Sequence, residues 1–398
     1  MKQLLLILVF LSVCFADDWP YFLGQDLNGI SKETQISKNW KVKQPQKLWE
    51  VKIGDGYSGI TVVGDLVYTA YGKNREEYCI AVKNGEVVWK KVIGPYFYSR
   101  IGSGPRTTPT IHEGRLYIVG AYGDFHCLDA KTGKTLWNFN ILRKFKTKNL
   151  KWGMCSSPVI YKHMLLYNVG GNNGNSIVAL DQKTGNTLWQ SGSDSASYAT
   201  PTIAKICGED QAIFFTGNGL YTVDPNNGKY LWSFSWPVYK NAATPICRGD
   251  YVFLSSSYGQ GAGALLHIKK NGNKYNVRQI WKNRRFKNHY TTSILWQDHL
   301  YGFHNNIFTC VNFNNGGNTW VQRGFKKGLL IATNDGHAVV LGQAGNLALV
   351  KLNPQRYIEL GTYKPFGKNT NCLVIPTLAN GMLYVRDNER LICLDISN

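Results

Sequence analysis

From about residue 45 onward the chain is a succession of short apolar runs, many of them alternating with polar residues, each cut off by Gly, Asn, Asp or a Thr-Gly pair. Between Thr107 and Trp137 the order is a strand, a Glu-Gly-Arg turn, the strand LYIVGA, a Tyr-Gly-Asp turn, the strand FHCLDA, a Lys-Thr-Gly-Lys turn and a last strand carrying Trp137. This pattern predicts four short antiparallel strands joined by tight turns, and it returns about every 45 residues.

The clearest copies of the closing phrase are CLDAKTGKTLW (127–137), ALDQKTGNTLW (179–189) and TVDPNNGKYLW (222–232); weaker copies end at Trp89, Trp281 and Trp320. A single four-stranded unit cannot bury both of its faces, whereas a closed ring of such units can. The units fall at 58–90, 107–138, 156–190, 199–233, 243–282, 291–321, 328–360 and 372–398. The expected fold is therefore all-β, an eight-bladed β-propeller of four-stranded antiparallel blades. The last unit is one strand short, and 47–51, with Trp49 in the repeat position, is expected to complete it and close the ring. In the seventh unit Tyr357 to Leu360 stand where a Trp is expected.

The phrase Asp-x-x-Thr-Gly-Lys-x-x-Trp resembles the tryptophan-docking motif of the pyrroloquinoline-quinone (PQQ, quinoprotein) type of eight-bladed propeller. The opening DWPYFLGQDLNGISKET is similar to the start of bacterial, often secreted, PQQ-like repeat proteins. This resemblance covers nearly the whole chain after residue 16. It implies that each repeat Trp packs between neighbouring blades, with Asp129, Asp181 and Asp224 forming turns. It leaves activity open, because alcohol and glucose dehydrogenases share the architecture with non-enzymatic scaffolds such as the outer-membrane assembly lipoprotein.

The 398 residues are 43% hydrophobic and 13% aromatic, which argues against a disordered chain. A basic start at Lys2, the apolar run Leu4 to Phe15 and then Ala16 read as a signal peptide over 1–16, too short to span a bilayer. That leaves 17–398 as a single propeller in the secretory pathway, in a periplasm-like compartment or outside the cell. Cys14 departs with the leader. Of the eight remaining cysteines, Cys79, Cys127 and Cys310 each lie ten residues before a repeat Trp. With Cys393 they are read as sharing one blade position, as buried thiols too far apart to pair.

Charge changes the picture. Lys and Arg number 45 against 25 Asp and Glu, a formal net charge of +20. The connectors from one blade's outer strand to the next blade's inner strand are 50–57, 90–106, 138–152, 190–200, 233–243, 282–291, 321–327 and 361–372. Together they hold 20 basic residues and three acidic ones, Glu50, Asp55 and Asp194. Connectors share one end of a propeller, so that end is expected to be strongly positive. Its densest parts carry Arg143, Lys144, Lys146 and Lys148, and Arg284, Arg285 and Lys287. Such a field suits an acidic glycan, an anionic surface or an acidic protein. Nucleic acid is disfavoured, since a secreted chain seldom meets it and no nucleic-acid module is visible.

The last residues before the inner strands, Tyr57, Arg106, Trp152, Tyr198, Asn241, His289, Tyr290, Lys327 and Asn369, are expected to ring the channel mouth. Aromatic, amide and cationic groups of this kind suit a planar or sugar-like ligand bearing carboxylates. By the resemblance, a quinoprotein dehydrogenase needs PQQ stacked on a Trp and often on a disulfide of adjacent cysteines, Ca²⁺ held by carboxylate and amide oxygens, and an Asp base. Adjacent cysteines are absent, and three carboxylates among twenty cations make a poor setting for calcium. Glu76, Glu77 and Asp124 in middle turns could still contribute. His289, His299 and His304 match no standard zinc spacing. The expectation is a binding or scaffolding propeller with no metal and no favoured cofactor. Its alternative is an alcohol or sugar dehydrogenase using PQQ with Ca²⁺ in the central funnel.

Overall fold

The computed structural model describes residues 17–236, 238–367 and 370–398; the expected leader 1–16 and Asn369 lie outside the described residues. Eight antiparallel sheets follow one another along the chain, at 61–95, 110–140, 159–191, 202–235, 246–283, 294–322, 328–363 and 377–395. These are blades one to eight. In blade three the second and third strands, Met164–Asn168 and Ile177–Asp181, are buried along almost their whole length, while the outer strand Thr187–Ser191 is mostly exposed. Apolar runs without strict alternation arise because neighbouring blades cover both faces of each sheet. Blade eight takes its outer strand from Gln46–Lys52, antiparallel to Arg390–Asp395, with Trp49 opposite Cys393.

The repeat Trp does the joining. Trp89, Trp137, Trp189, Trp281 and Trp320 each donate the indole N–H to a carbonyl in the next blade's turn, at Ala130, Gln182, Pro225, Phe313 and Asn353, over 2.8–3.1 Å. The indoles of Trp89, Trp137, Trp189 and Trp281 each lie against a glycine of that turn, and Trp320 meets Tyr357 instead. A Cβ on Gly133 (φ 70°) would stand 2.7 Å from the Trp89 ring, so only glycine permits the approach. Asp129 and Asp181 hold their turns by accepting from the amides and hydroxyls of Thr132 and Thr184. Trp232 departs from this, donating within its own blade to Gln211. In blade seven the register position of the missing Trp, opposite Leu349, is Gly361. The space there is filled by Trp40, fully buried and contributed by the N-terminal segment.

Two expectations are corrected by register. The outer strand of blade one runs Glu86–Pro95, so Lys90 and Lys91 belong to the rim and not to a connector. Cys127, Cys310 and Cys393 lie opposite Trp137, Trp320 and Trp49, but Ala81, not Cys79, lies opposite Trp89. The turn of blade one is two residues shorter than that of blade two, which shifts the count of ten. All four cysteines are buried free thiols.

The N-terminal segment crosses the end of the channel away from the connectors. Trp19 bridges to Val62 in blade one, and Pro20 accepts from the Ile111 amide in blade two. Ile30–Ser31 pair in parallel with the inner strand of blade seven, and Ile36 bridges to Ser397. At the closing seam the fully buried Arg386 of blade eight donates to Thr69 Oγ1 (2.8 Å) and to the carbonyls of Ala70 (2.7 Å), Ser58 (3.3 Å) and Gly54 (3.3 Å).

Candidate ligand site in the channel mouth

Where the connectors turn inward, backbone and hydroxyls interlock around the channel. The amides of Gly59, Thr108, Ser157 and Thr244 donate to the hydroxyls of Thr108, Ser157, Thr200 and Thr292 in the next blade, at 3.0–3.1 Å. This belt fixes the residues just before it, which wall a cavity of about 250 Å³. Tyr57, Arg106, Trp152, Tyr198, His289, Tyr290 and Lys327 all line that cavity, and Phe22 reaches it from the N-terminal segment.

Asn241 does not line it. Its side-chain amide donates to the carbonyls of Thr216 and Val238, and its backbone N–H to Ser197 Oγ, so a fully buried amide braces the connector and Ala242 faces the cavity instead. Tyr258, from the middle turn of blade five, joins the lining unanticipated. The only signal for it is one bulky residue in a Ser- and Gly-rich turn. Phe22 carries no repeat signal at all.

The aromatic rings form a tilted bowl. Trp152 lies 5.2 Å from Tyr198 and 5.7 Å from Tyr258 between centroids, with Tyr258 4.8 Å from His289 and His289 5.0 Å from Tyr290. Their interplanar angles run from 37° to 57°. Cations stand over this bowl. Lys240 Nζ is 5.0 Å from the Trp152 centroid and 5.2 Å from that of Tyr258, and Lys327 Nζ is 5.4 Å from that of Tyr290. The Arg106 guanidinium lies over Tyr57 and Phe97, steered by 2.6 Å bonds to the carbonyls of Gly102 and Gly104. Among the described residues none of these three cations has a carboxylate partner. Burial, with Lys327 adding to it, holds His289 down to about 4, so its ring is neutral near pH 7.

Among the described residues no carboxylate is part of the lining. Glu50 pairs with Lys47, Asp55 accepts from Tyr96, and Asp194 accepts from Thr216 and Asn218. Glu76 accepts from Tyr78, and Asp124 from Asn140. Glu77 is fully buried and accepts from the amides of Ala121 (2.8 Å) and Phe97 (3.4 Å); burial pushes its carboxyl up to about 7. Calcium needs six to eight oxygen ligands, and the residues at this cavity do not fit it. His304 is occupied by the Lys287 amide, and among the described residues no three His, Cys, Asp or Glu side chains gather into a metal-binding group.

Of the basic connector residues, Arg143, Lys146, Lys148, Arg284 and Arg285 are exposed and Lys287 is half-buried. Lys144 is exposed as well, and it is also tied down. Its ammonium donates to the Gly185 carbonyl of the next blade's docking turn (2.8 Å) and sits 4.2 Å from the Phe139 centroid, a packing role at the rim. Tyr98, Ile101 and Tyr239, also on connectors, are 72%, 71% and 74% exposed.

Residues 95–322, more than half of the chain, match the family described as outer membrane protein assembly factor BamB. The chain belongs to this PQQ-repeat β-propeller family. Tetrathionate hydrolase of Acidithiobacillus ferrooxidans is 24% identical over 54% of this chain and 44% of its own length. Quinoprotein ethanol dehydrogenase of Pseudomonas putida is 25% identical over 32% of this chain and 22% of its own, so the chain spans less than half of either relative. BamB of Burkholderia pseudomallei is 24% identical over 58% of this chain and 71% of its own. Among solved structures, quinohemoprotein alcohol dehydrogenase from Comamonas testosteroni superposes with a TM-score of 0.67 at 13% identity, covering 96% of this chain and 80% of its own. BamB from Moraxella catarrhalis gives 0.59 at 15%, covering 88% and 97%. At such identities these structures share the fold alone.

Proposed function

We propose that this chain is an exported binding propeller whose connector end engages a polyanionic partner. One observation carries the reading: Arg143, Lys146, Lys148, Arg284 and Arg285 are exposed on two connectors three blades apart, with no carboxylate partner among the described residues. Cations left uncompensated over one end of a disc concentrate anions there. The exposed Tyr98, Ile101 and Tyr239 supply apolar contact beside them. An acidic glycan, an anionic surface and an acidic protein all carry the matching charge. Relatives named as outer membrane protein assembly factor support a partner-binding role, and the leader-like 1–16 supports export.

Binding to a carboxylated or sulfated polysaccharide matrix, to anionic vesicles and to an acidic protein, each measured against rising salt, tests this. Attachment is expected to weaken steeply with ionic strength. Combined Arg143→Glu, Arg284→Glu and Arg285→Glu substitution is expected to abolish it. Retention unchanged by that reversal overturns the reading.

The dehydrogenase alternative is favoured by relatives named quinoprotein ethanol dehydrogenase and opposed by the carboxylate-free lining. Calorimetric titration with PQQ and Ca²⁺, followed by dye-linked oxidation of alcohols and sugars, separates the two. Stoichiometric binding with turnover would establish the enzyme.

A further inference from the structure

We propose that the channel cavity is a binding site for a single hexuronate, a six-membered sugar ring bearing a carboxylate. The inference rests on the connector end being an anion-binding surface, and adds which chemical unit enters the channel.

Size comes first. Pockets for drug-sized molecules span about 300–1,000 Å³, and at about 250 Å³ this cavity has room for one ring with its substituents. Phe22 lies beneath it, on the segment that crosses the far end of the channel, so a polymer cannot thread through. Only a free sugar acid or the end unit of a chain can enter.

Shape comes second. A flat ligand is gripped by parallel walls, whereas the walls here are inclined to one another by 37° to 57°. Inclined rings match the C–H faces of a puckered sugar ring. Charge selects among sugars: Arg106, Lys240 and Lys327 surround the bowl with no carboxylate in its lining, which favours an anionic sugar over a neutral one.

Three buried polar groups stand in the cavity wall. Thr291 is 8% exposed and lines the cavity, and its hydroxyl has no hydrogen-bond partner. The Tyr290 hydroxyl and the Trp152 indole N–H, both on lining residues, are buried and unpartnered as well. Buried polar groups are costly to leave unpaired; these three atoms are closed off from the cavity, so a sugar hydroxyl would pair with them only after a small shift of the wall, accepting from the Trp152 indole N–H.

Calorimetric titration of the protein with D-glucuronate and D-galacturonate tests the proposal, with D-glucose as the neutral match and PQQ as a flat anion. A 1:1 uronate complex at least about tenfold tighter than that of glucose is expected. The substitutions Lys240→Met and Lys327→Met together, on half-buried connector positions, are expected to narrow the preference for uronate over glucose several-fold, with Arg106 holding the remainder. Equal binding of glucose and uronate, absence of uronate binding at millimolar concentration, or PQQ binding in place of uronate each overturns the assignment. A trigalacturonate that binds more tightly than the monosaccharide identifies a glycan end as the source, and equal affinity identifies the free sugar acid. A monosaccharide carries one charge and cannot bridge the connector end, so the two readings fail separately. Matrix retention without monosaccharide binding overturns the cavity assignment alone. Monosaccharide binding without matrix retention overturns only the polyanion surface.

Discussion

The seam between blades two and three and the seam between blades seven and eight face the same packing problem. At the first, Trp137 of the outer strand docks on Gly185 and donates to Gln182, all within the repeat. At the second, the outer strand offers Gly361, and Trp40, from a segment more than three hundred residues earlier, fills the gap. Trp137 is half-exposed and hydrogen-bonded; Trp40 is wholly buried and its indole N–H has no partner. The repeat thus holds its own seams with hydrogen-bonded indoles. The seam between blades seven and eight relies on apolar burial, which also fastens the N-terminal segment.

Breaking Trp40 should therefore hurt most. Trp40→Ala is expected to cost about 5 kcal/mol, against about 3 for Trp137→Ala, in denaturant unfolding; equal losses would remove the distinction between the seams. Next comes Glu77, which links blades one and two. Its carboxyl is raised to about 7 from an ordinary 4.5, so the folded state holds the proton more tightly than the unfolded chain. Its contribution is complete below about pH 4.5 and is lost as pH rises to about 7, a fall of about 3 kcal/mol that Glu77→Gln should erase from a stability–pH profile. Arg386→Lys keeps the charge at the seam of blades eight and one but loses the guanidinium fork. It should cost about 2 kcal/mol by leaving carbonyls unpaired, and a neutral result would mean that the charge alone matters there. The smallest effect is expected for Trp89→Phe, about 1 kcal/mol for the bond to Ala130, read as a shift in unfolding midpoint with an unchanged slope.

Legibility in the sequence followed the repeat. The blade count, the four-stranded meander and the closing strand at Trp49 could be read because each rests on periodic turns and a recurring Trp. The mouth residues from Tyr57 to Lys327 could be located because each stands one step before an inner strand. What stayed hidden lies outside the period or in side-chain bonding. Phe22 and Trp40 come from a non-repeating segment, and Tyr258 from a middle turn. Lys240 was legible only as a charge, with nothing to place it over Trp152. Asn241 sits in the right position, yet its amide is drawn inward by two unpaired carbonyls. Cys79 was misplaced by a turn two residues short, since counting residues is not counting register.

The pairing of Gln46–Lys52 with Arg390–Asp395 has a kinetic consequence. Loop-closure entropy must be met before such distant strands are rewarded for meeting, so this contact forms late. Blades two to six can assemble on neighbours already synthesised, whereas blade eight waits for its last strand. Until then Gln46–Lys52 has no partner strand, and the N-terminal segment lacks its bridge at Ser397. The time to final closure, more than the stability of any one blade, sets how long the chain is exposed to proteases and to pairing with its own copies.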